Sequence, residues 1–403
     1  MLLRLLVLLL IGPSFAIAAD GRTEVGGHTK LRAVGQSYPR DSIYYDLFGG
    51  SSLNTQADFR LNLEHRSGGW TFDANYQLAA ISGETINVPD DSRRWFNLTS
   101  VIDQGSESAL LHRLDRLWVG YASDKTVVRF GRQALSWGNG MFYSPMDLVN
   151  PFDPAAVDTE YKAGDDMLYV QYLQDSGADV QGAYVVRRDF VSGDVDGDAA
   201  TIAMKYHGFA GDAEYNLLAA RHYDDDVLGL GISRSIGGAN WGGDLVVTDT
   251  SIDTYVQLST NLSYSWVWAE KNYSGVIEYH FNGFGQHSGE YNPLSIAANQ
   301  DLFRRLARGE SFTLGRHYLA GSVMIELTPL WSISPTALMN VSDPSGLLQL
   351  VSNYSLSDNM TLLGSLNIPF GSNGSEFGGI ETTIAARYLS SDAGIFMQFA
   401  WYF

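Results

Sequence analysis

Several groups of residues in this chain have the types and spacing for chemistry, and each points to a different kind. Asp194, Asp196 and Asp198, interleaved with Gly193 and Gly197, have the alternate spacing of a calcium loop. No acidic ligand or helix follows to complete one, so a solvated acidic turn is the better reading. His222 stands beside Asp224-Asp225-Asp226, a set that suits acid–base hydrolysis, although three adjacent acids in a short turn ordinarily face solvent. His207 and His280 have no serine partner that sequence can supply. The chain has no cysteine, which removes iron–sulfur clusters, covalent haem attachment and lipoprotein acylation. No cofactor or metal is expected.

The stretch from Val127 to Asp166 suggests a different activity, the selection of charged solutes. The loop that follows its strand concentrates Asp147, Asp153, Asp158, Glu160, Asp165 and Asp166 against a single Lys162, with turn-forming Asn150-Pro151 and Asp153-Pro154. Loops of that length inside a compact fold usually have a function. Lys30, Arg32, Arg60, Arg129 and Lys205 fall on the polar face of alternating runs. Acids on an inward loop opposing bases on a wall would set up a transverse field across a constriction, and such clusters select permeants by charge. Alternatively, the loop stays outside, with its acids solvated or bridged by divalent cations to lipopolysaccharide. Asp58, Glu64, Asp73, Glu278 and Glu326 share the polar face and blur any ion preference.

The elements that would position these residues are strands. Val256, Leu258, Thr260, Leu262, Tyr264, Trp266 and Trp268 alternate with Tyr255, Gln257, Ser259, Asn261, Ser263 and Ser265. One face is apolar and ends in aromatics; the other is small and polar. A soluble sandwich and a membrane barrel both show this period. Connection lengths separate them. Every second connection is short, as at Gly68-Gly69, Ser123–Lys125 and Pro329-Leu330, whereas 82–108, 139–165, 285–316 and 371–393 are long. Short turns on one rim and long loops on the other characterise outer-membrane barrels. The reading is a closed antiparallel transmembrane β-barrel of about eighteen strands, sixteen being the alternative, with both termini on the short-turn side. Leu294 to Arg308 has helical spacing, which predicts a short helix at the extracellular mouth. The last strand carries Ile395, Met397, Phe399, Trp401 and Phe403 on one face, and a terminal Phe after alternating hydrophobics resembles the signal read by the barrel assembly machinery.

Residues 1–18 read as a signal peptide: Arg4 precedes an apolar run from Leu5 to Ile11, and Ala16-Ile17-Ala18 has the small residues of a cleavage site. Residues 19–403 would then form the barrel. A formal net charge of -19 argues against nucleic acid as a partner.

The pattern Gly131-Arg132-Gln133, Trp137-Gly138 and Asn150-Pro151-Phe152-Asp153 resembles a signature of porin-like Gram-negative outer-membrane barrels. These include alginate-export-type barrels, related uncharacterised barrels and the barrels of porin–cytochrome conduits. The motif covers about a tenth of the chain, and no dense arginine lining singles out a polyuronate. The long loop and the polar strand face point first to an integral, non-enzymatic channel for small hydrophilic solutes or ions, surrounded by lipid and lipopolysaccharide. The second function carried forward is a sheath around a multihaem cytochrome, and the third an outer-membrane hydrolase using His222.

Overall fold

A computed structural model of the chain describes residues 21–287 and 291–403. The expected signal peptide lies outside the described residues. The wall begins with β1 (Arg22–Ser37), β2 (Ser51–Ser67) and β3 (Trp70–Ser82), followed by β4 (Thr99–Gln104), β5 (Ser108–Ala122) and β6 (Thr126–Gln133). It continues with β7 (Asp165–Leu173), β8 (Asp179–Val185), β9 (Thr201–Ala210), β10 (Ala213–His222), β11 (Asp225–Ile236) and β12 (Ala239–Asp249). Then come β13 (Thr254–Trp268), β14 (Lys271–Asn282), β15 (His317–Thr328), β16 (Trp331–Asn340), β17 (Ser345–Ser357) and β18 (Met360–Phe370). A small outer hairpin, β19 (Ile380–Glu381) and β20 (Tyr388–Leu389), precedes the last wall strand, β21 (Gly394–Tyr402).

Each wall strand pairs antiparallel with its neighbours, and β21 pairs back to β1 from His28↔Tyr402 to Gln36↔Gly394. Leaving out β4, β19 and β20, eighteen strands among the described residues therefore close a ring, as the sequence predicts. Closure removes free edges, so every ladder hydrogen bond is met inside the wall. The tight turns need a backbone that few residues adopt: Gly68 and Gly69 have φ of 53° and 86°, as do Gly237 and Gly238 at 56° and 87°. Two positive-φ residues make the turn whose twist matches an antiparallel pair.

The two faces are inverted relative to a soluble protein. On β13, Ser259 and Asn261 are buried, while Val256, Leu262 and Tyr264 are exposed. Tyr264 and Trp266 lie on the outer face, and Trp266 stacks on Tyr273 of β14 at 5.4 Å. Trp401 is on the face opposite buried, inward Ala400, with exposed Ile395 and Met397. An apolar exterior with interfacial aromatics and a polar interior is the solution for a sheet surrounded by lipid.

Three expected boundaries need correction. The strand before the expected long connection 139–165 already stops at Gln133, because the chain there turns out of the wall. The long connection 82–108 contains β4, which pairs with Ala109–Arg113 of β5 just where β6 has ended; β6 pairs with Leu117–Ala122. The single mouth helix is two, α2 (Pro293–Ala298) and α3 (Gln300–Arg308), broken at Asn299, whose side chain caps the second. A further helix, α1 (Ile43–Phe48), lies in the first outer connection and has no counterpart in the sequence reading.

Candidate permeation site in the barrel lumen

The motif residues form the hinge that sends the chain from the wall into the lumen. Gly131 has φ 125°, and a Cβ there would lie 2.2 Å from the Leu117 carbonyl oxygen. Only glycine tolerates that combination. Arg132 is 2% exposed and donates to Asp166 at 2.9 and 3.0 Å, to Asp91 at 2.9 Å and to the Phe96 carbonyl at 2.6 Å. Burial alone would raise the Asp91 carboxyl. Arg94 and Arg132 beside it hold it down at about 2. Gln133 donates to the Met167 carbonyl. Trp137 donates its indole N–H to Gln181 at 2.8 Å, and Gly138, with φ 105°, packs where a Cβ would meet the Asp244 carboxylate at 2.9 Å. Asn150, at φ 50°, donates to the Ala163 carbonyl and ties the two limbs of the loop together just before Pro151.

Beyond the hinge, residues 134–164 dock along the inside of the wall. Asp244 of β12 accepts from the backbone N–H of Asn139 and Gly140 and from the Asn139 side chain. Glu278 of β14 accepts from three consecutive backbone N–H groups, Met141, Phe142 and Tyr143, at 2.6, 3.1 and 2.7 Å. Wall carboxylates thus satisfy loop backbone that no strand pairs, which is what irregular chain at membrane depth requires. Trp137 and Met146 pack on Ala183, Ala203, Leu218, Val227 and Val246. Tyr143 stacks on His280 at 4.7 Å and packs against Tyr318. Further along, Gln349 of β17 donates to the Ala155 carbonyl.

The returning limb reaches the first strands. Asp158 lies 2.9 Å from both Lys30 Nζ and Arg32 Nη2, and Glu160 lies 2.7 Å from Lys30 and accepts from the Tyr402 hydroxyl. Tyr161 lies under the Arg60 guanidinium, 4.0 Å from ring centre to Cζ. Between this limb and the wall of β1, β2, β3 and β5 remains a cavity of about 340 Å³. Of the expected opposition of loop acids and wall bases, Asp158 and Glu160 against Lys30 and Arg32 is present. The rest is arranged differently. Asp147 pairs with Lys162 of its own loop, which also donates to the Leu135 carbonyl and Ser136. Among the described residues, the Asp153 carboxylate accepts only from the backbone N–H of Ala155. Arg60 pairs with Asp115 of β5, Arg129 lies over Trp118 and Tyr169 instead of reaching a loop carboxylate, and Lys205 lies near the Trp137 ring. Asp165 and Asp166 belong to β7 and pair with Arg187 and Arg132. Arg113, Asp115 and Tyr161 belong to this site without standing out in the sequence. The arginine and aspartate share the period-2 face of β5 with Leu111, which was the available signal.

The other candidates are enclosed in packing. His280 does have a serine partner, Ser259, at 2.8 Å, but both are buried beneath Tyr143. His222 is 3% exposed between Thr201 and Glu310, and Asp225 pairs with Arg305 of α3. Asp224 and Asp226 lie near exposed Arg221. Asp194, Asp196 and Asp198 are exposed, and Asp196 caps a single turn. No group of three metal-ligating side chains occurs among the described residues.

No family model matches the sequence, and no curated protein matches it. Solved structures do match over nearly the full length. The chain is similar to OccAB1 of Acinetobacter baumannii, with a TM-score of 0.55 at 10% identity over 95% of this chain and 96% of that one. OccAB4 of the same organism gives 0.55 at 10% over 94% and 98%. A BenF-like porin from Pseudomonas fluorescens gives 0.52 at 9% over 94% and 98%. At such identities the likeness establishes the fold, a closed barrel of the porin type.

Proposed function

We propose that this chain is a passive outer-membrane channel for small hydrophilic solutes or ions, narrowed by residues 134–164. The observation that carries the reading is the docked loop itself: it is held on β12, β14, β17 and β1, and leaves a polar cavity of small-molecule size beside the first strands. A lumen crossed by the chain's own loop counts against a sheath, since residues 134–164 occupy space that an enclosed multihaem cytochrome would have to fill. The buried, engaged histidines give the hydrolase reading no support.

Planar-bilayer recording on the purified, refolded protein tests the channel. Wild type should conduct steadily, and deletion of Ser144 to Asp158 should raise single-channel conductance. A correctly folded barrel that does not conduct, or a deletion that leaves conductance unchanged, would remove the channel or its constriction respectively.

A further inference from the structure

Three polar atoms on the wall of the lumen cavity have no hydrogen-bond partner among the described residues: His28 Nδ1, Asp58 Oδ1 and Arg60 Nε. Their residues are only 2%, 8% and 3% exposed. Leaving one such group unmet costs about 1–3 kcal/mol, and more when it is charged. Three beside one cavity call for a common cause. Neither charged side chain is free to turn away, because the rest of each is engaged. The other Asp58 oxygen accepts from Gln77, and Arg60 donates to Asp115 while lying over Tyr161.

A molecule that satisfies them must bring an acceptor to Arg60 and a donor to Asp58 together. A simple anion supplies the first alone and a simple cation the second alone; a neutral hydroxyl supplies both but matches neither charge, so its bonds are the weaker ones. Lys30 and Arg32 already hold Asp158, whereas Arg113 gives its Nε to Gln77 and lies 3.8 Å from its nearest carboxylate, Asp115. The positive wall still open to a ligand is therefore Arg60 through its Nε, with the terminal amines of Arg113. Asp58 and Arg60 are two residues apart on one face of β2, about 7 Å along the strand, a span that a small dipolar molecule bridges with one hydrogen bond at each end. Ala79, Ile81 and Leu111 give the same cavity an apolar corner.

We propose that this cavity is a binding subsite for a small zwitterion of the α-amino acid class. Its carboxylate meets Arg60 and Arg113, its ammonium meets Asp58, and an aliphatic side chain lies against Ala79, Ile81 and Leu111. His28 supplies a further polar contact in either tautomer. The subsite rests on the channel reading, since the solute is one that would pass the loop.

The experiment is single-channel recording with L-leucine, which carries no net charge and does not itself add current. Leucine should give concentration-dependent interruptions. Isocaproate, which lacks the ammonium, and isoamylamine, which lacks the carboxylate, should each block about tenfold less well, since one charge-assisted contact is worth about 1.5–3 kcal/mol. Asp58→Asn should lower leucine block by about the same factor and leave isocaproate unchanged, while Arg113→Gln should weaken both. The comparison of solutes on wild type stands even where a variant fails to assemble. Leucine blocking a conducting channel no better than isocaproate overturns the subsite and leaves the channel intact. A barrel that does not conduct, yet binds leucine by calorimetry in detergent in preference to isocaproate, overturns the channel and leaves the subsite.

Discussion

Two aspartates of the inner loop look alike in sequence and differ in what holds them. Asp147 is paired with Lys162, at side-chain exposures of 9% and 6%. Asp153 is exposed and has no cationic partner among the described residues. A free carboxylate in a water-filled lumen acts on passing ions over a Debye length, about 10 Å at 0.1 M salt and about 3 Å at 1 M. Asp153→Asn is therefore expected to move the reversal potential in a salt gradient toward anion preference at 0.1 M, with a smaller shift at 1 M. Asp147→Asn should act by a different route. It leaves a buried ammonium unmatched, at a cost of about 3–5 kcal/mol, so it should increase open-channel noise as the loop loosens. Equal selectivity shifts in the two variants would show that pairing does not decide which loop acid the permeant senses.

Among the elements, the hinge and the seam show how strands are made to do unusual things. At the hinge, Gly131 bends β6 inward and β4 occupies the place that β6 has left beside β5. The wall stays paired while one segment leaves it, which keeps backbone polar groups satisfied at that height. At the seam, Phe403 exchanges two backbone hydrogen bonds with Gly27 at 3.0 Å, and its ring stacks on Phe59 of β2 at 5.9 Å. Gly27 has no side chain to obstruct this, since a Cβ there would lie 2.9 Å from the Phe403 ring. Deleting Phe403 removes one pair from a long ladder, and under the proposed terminal signal it also removes the residue that the assembly machinery would read. The amount of inserted, heat-modifiable barrel in the outer membrane should fall, while the denaturation midpoint of the barrel that does insert should change little. Normal insertion would count against a signal role for the terminal residue.

On the scale of the whole molecule, the mouth is closed on one side by loops that lock to each other. Glu376, in the connection 371–393, accepts from the Tyr318 hydroxyl at 2.5 Å, from Asn340 at 2.7 Å and from the Leu314 backbone at 2.8 Å. Asn340 also donates to Tyr291, and Asp343 accepts from the Glu376 backbone. Burial pushes the Glu376 carboxyl up from 4.5 to about 7. The folded loop thus binds a proton that the undocked loop releases more readily. Its docking is strongest below about pH 4.5 and weakens as pH rises through about 7. Hydrogen-exchange protection of residues 371–393 should accordingly be higher at about pH 5 than at about pH 8, after correction for intrinsic rates. Glu376→Gln should remove most of that dependence. A loop equally protected at both values would mean that the carboxyl is neutralised by contacts other than its proton.

The sequence alone determined what depends on neighbours along the chain or on the next strand. Period-2 alternation, paired glycines at turns and the alternation of short and long connections specify a closed barrel, because a strand surrounded by lipid admits only that solution. The hinge was legible as a motif, and Gly131 and Gly138 carry backbone conformations that explain its glycines. What tertiary structure decided was partnership across the lumen. Asp158 meets Lys30 from 128 residues away, and Glu278 meets the Tyr143 backbone from 135, distances over which no local preference acts. Local pattern hinted at the covered side of the lumen. Leu217-Leu218 and Leu245-Val246 are apolar on both faces of β10 and β12, where water alone would not favour it, and Leu218 and Val246 prove to be roofed by Trp137 and Met146. Which acid pairs with which base depends on where an irregular loop comes to rest. That is set by packing and by the need to satisfy its own backbone, neither of which has a period to read.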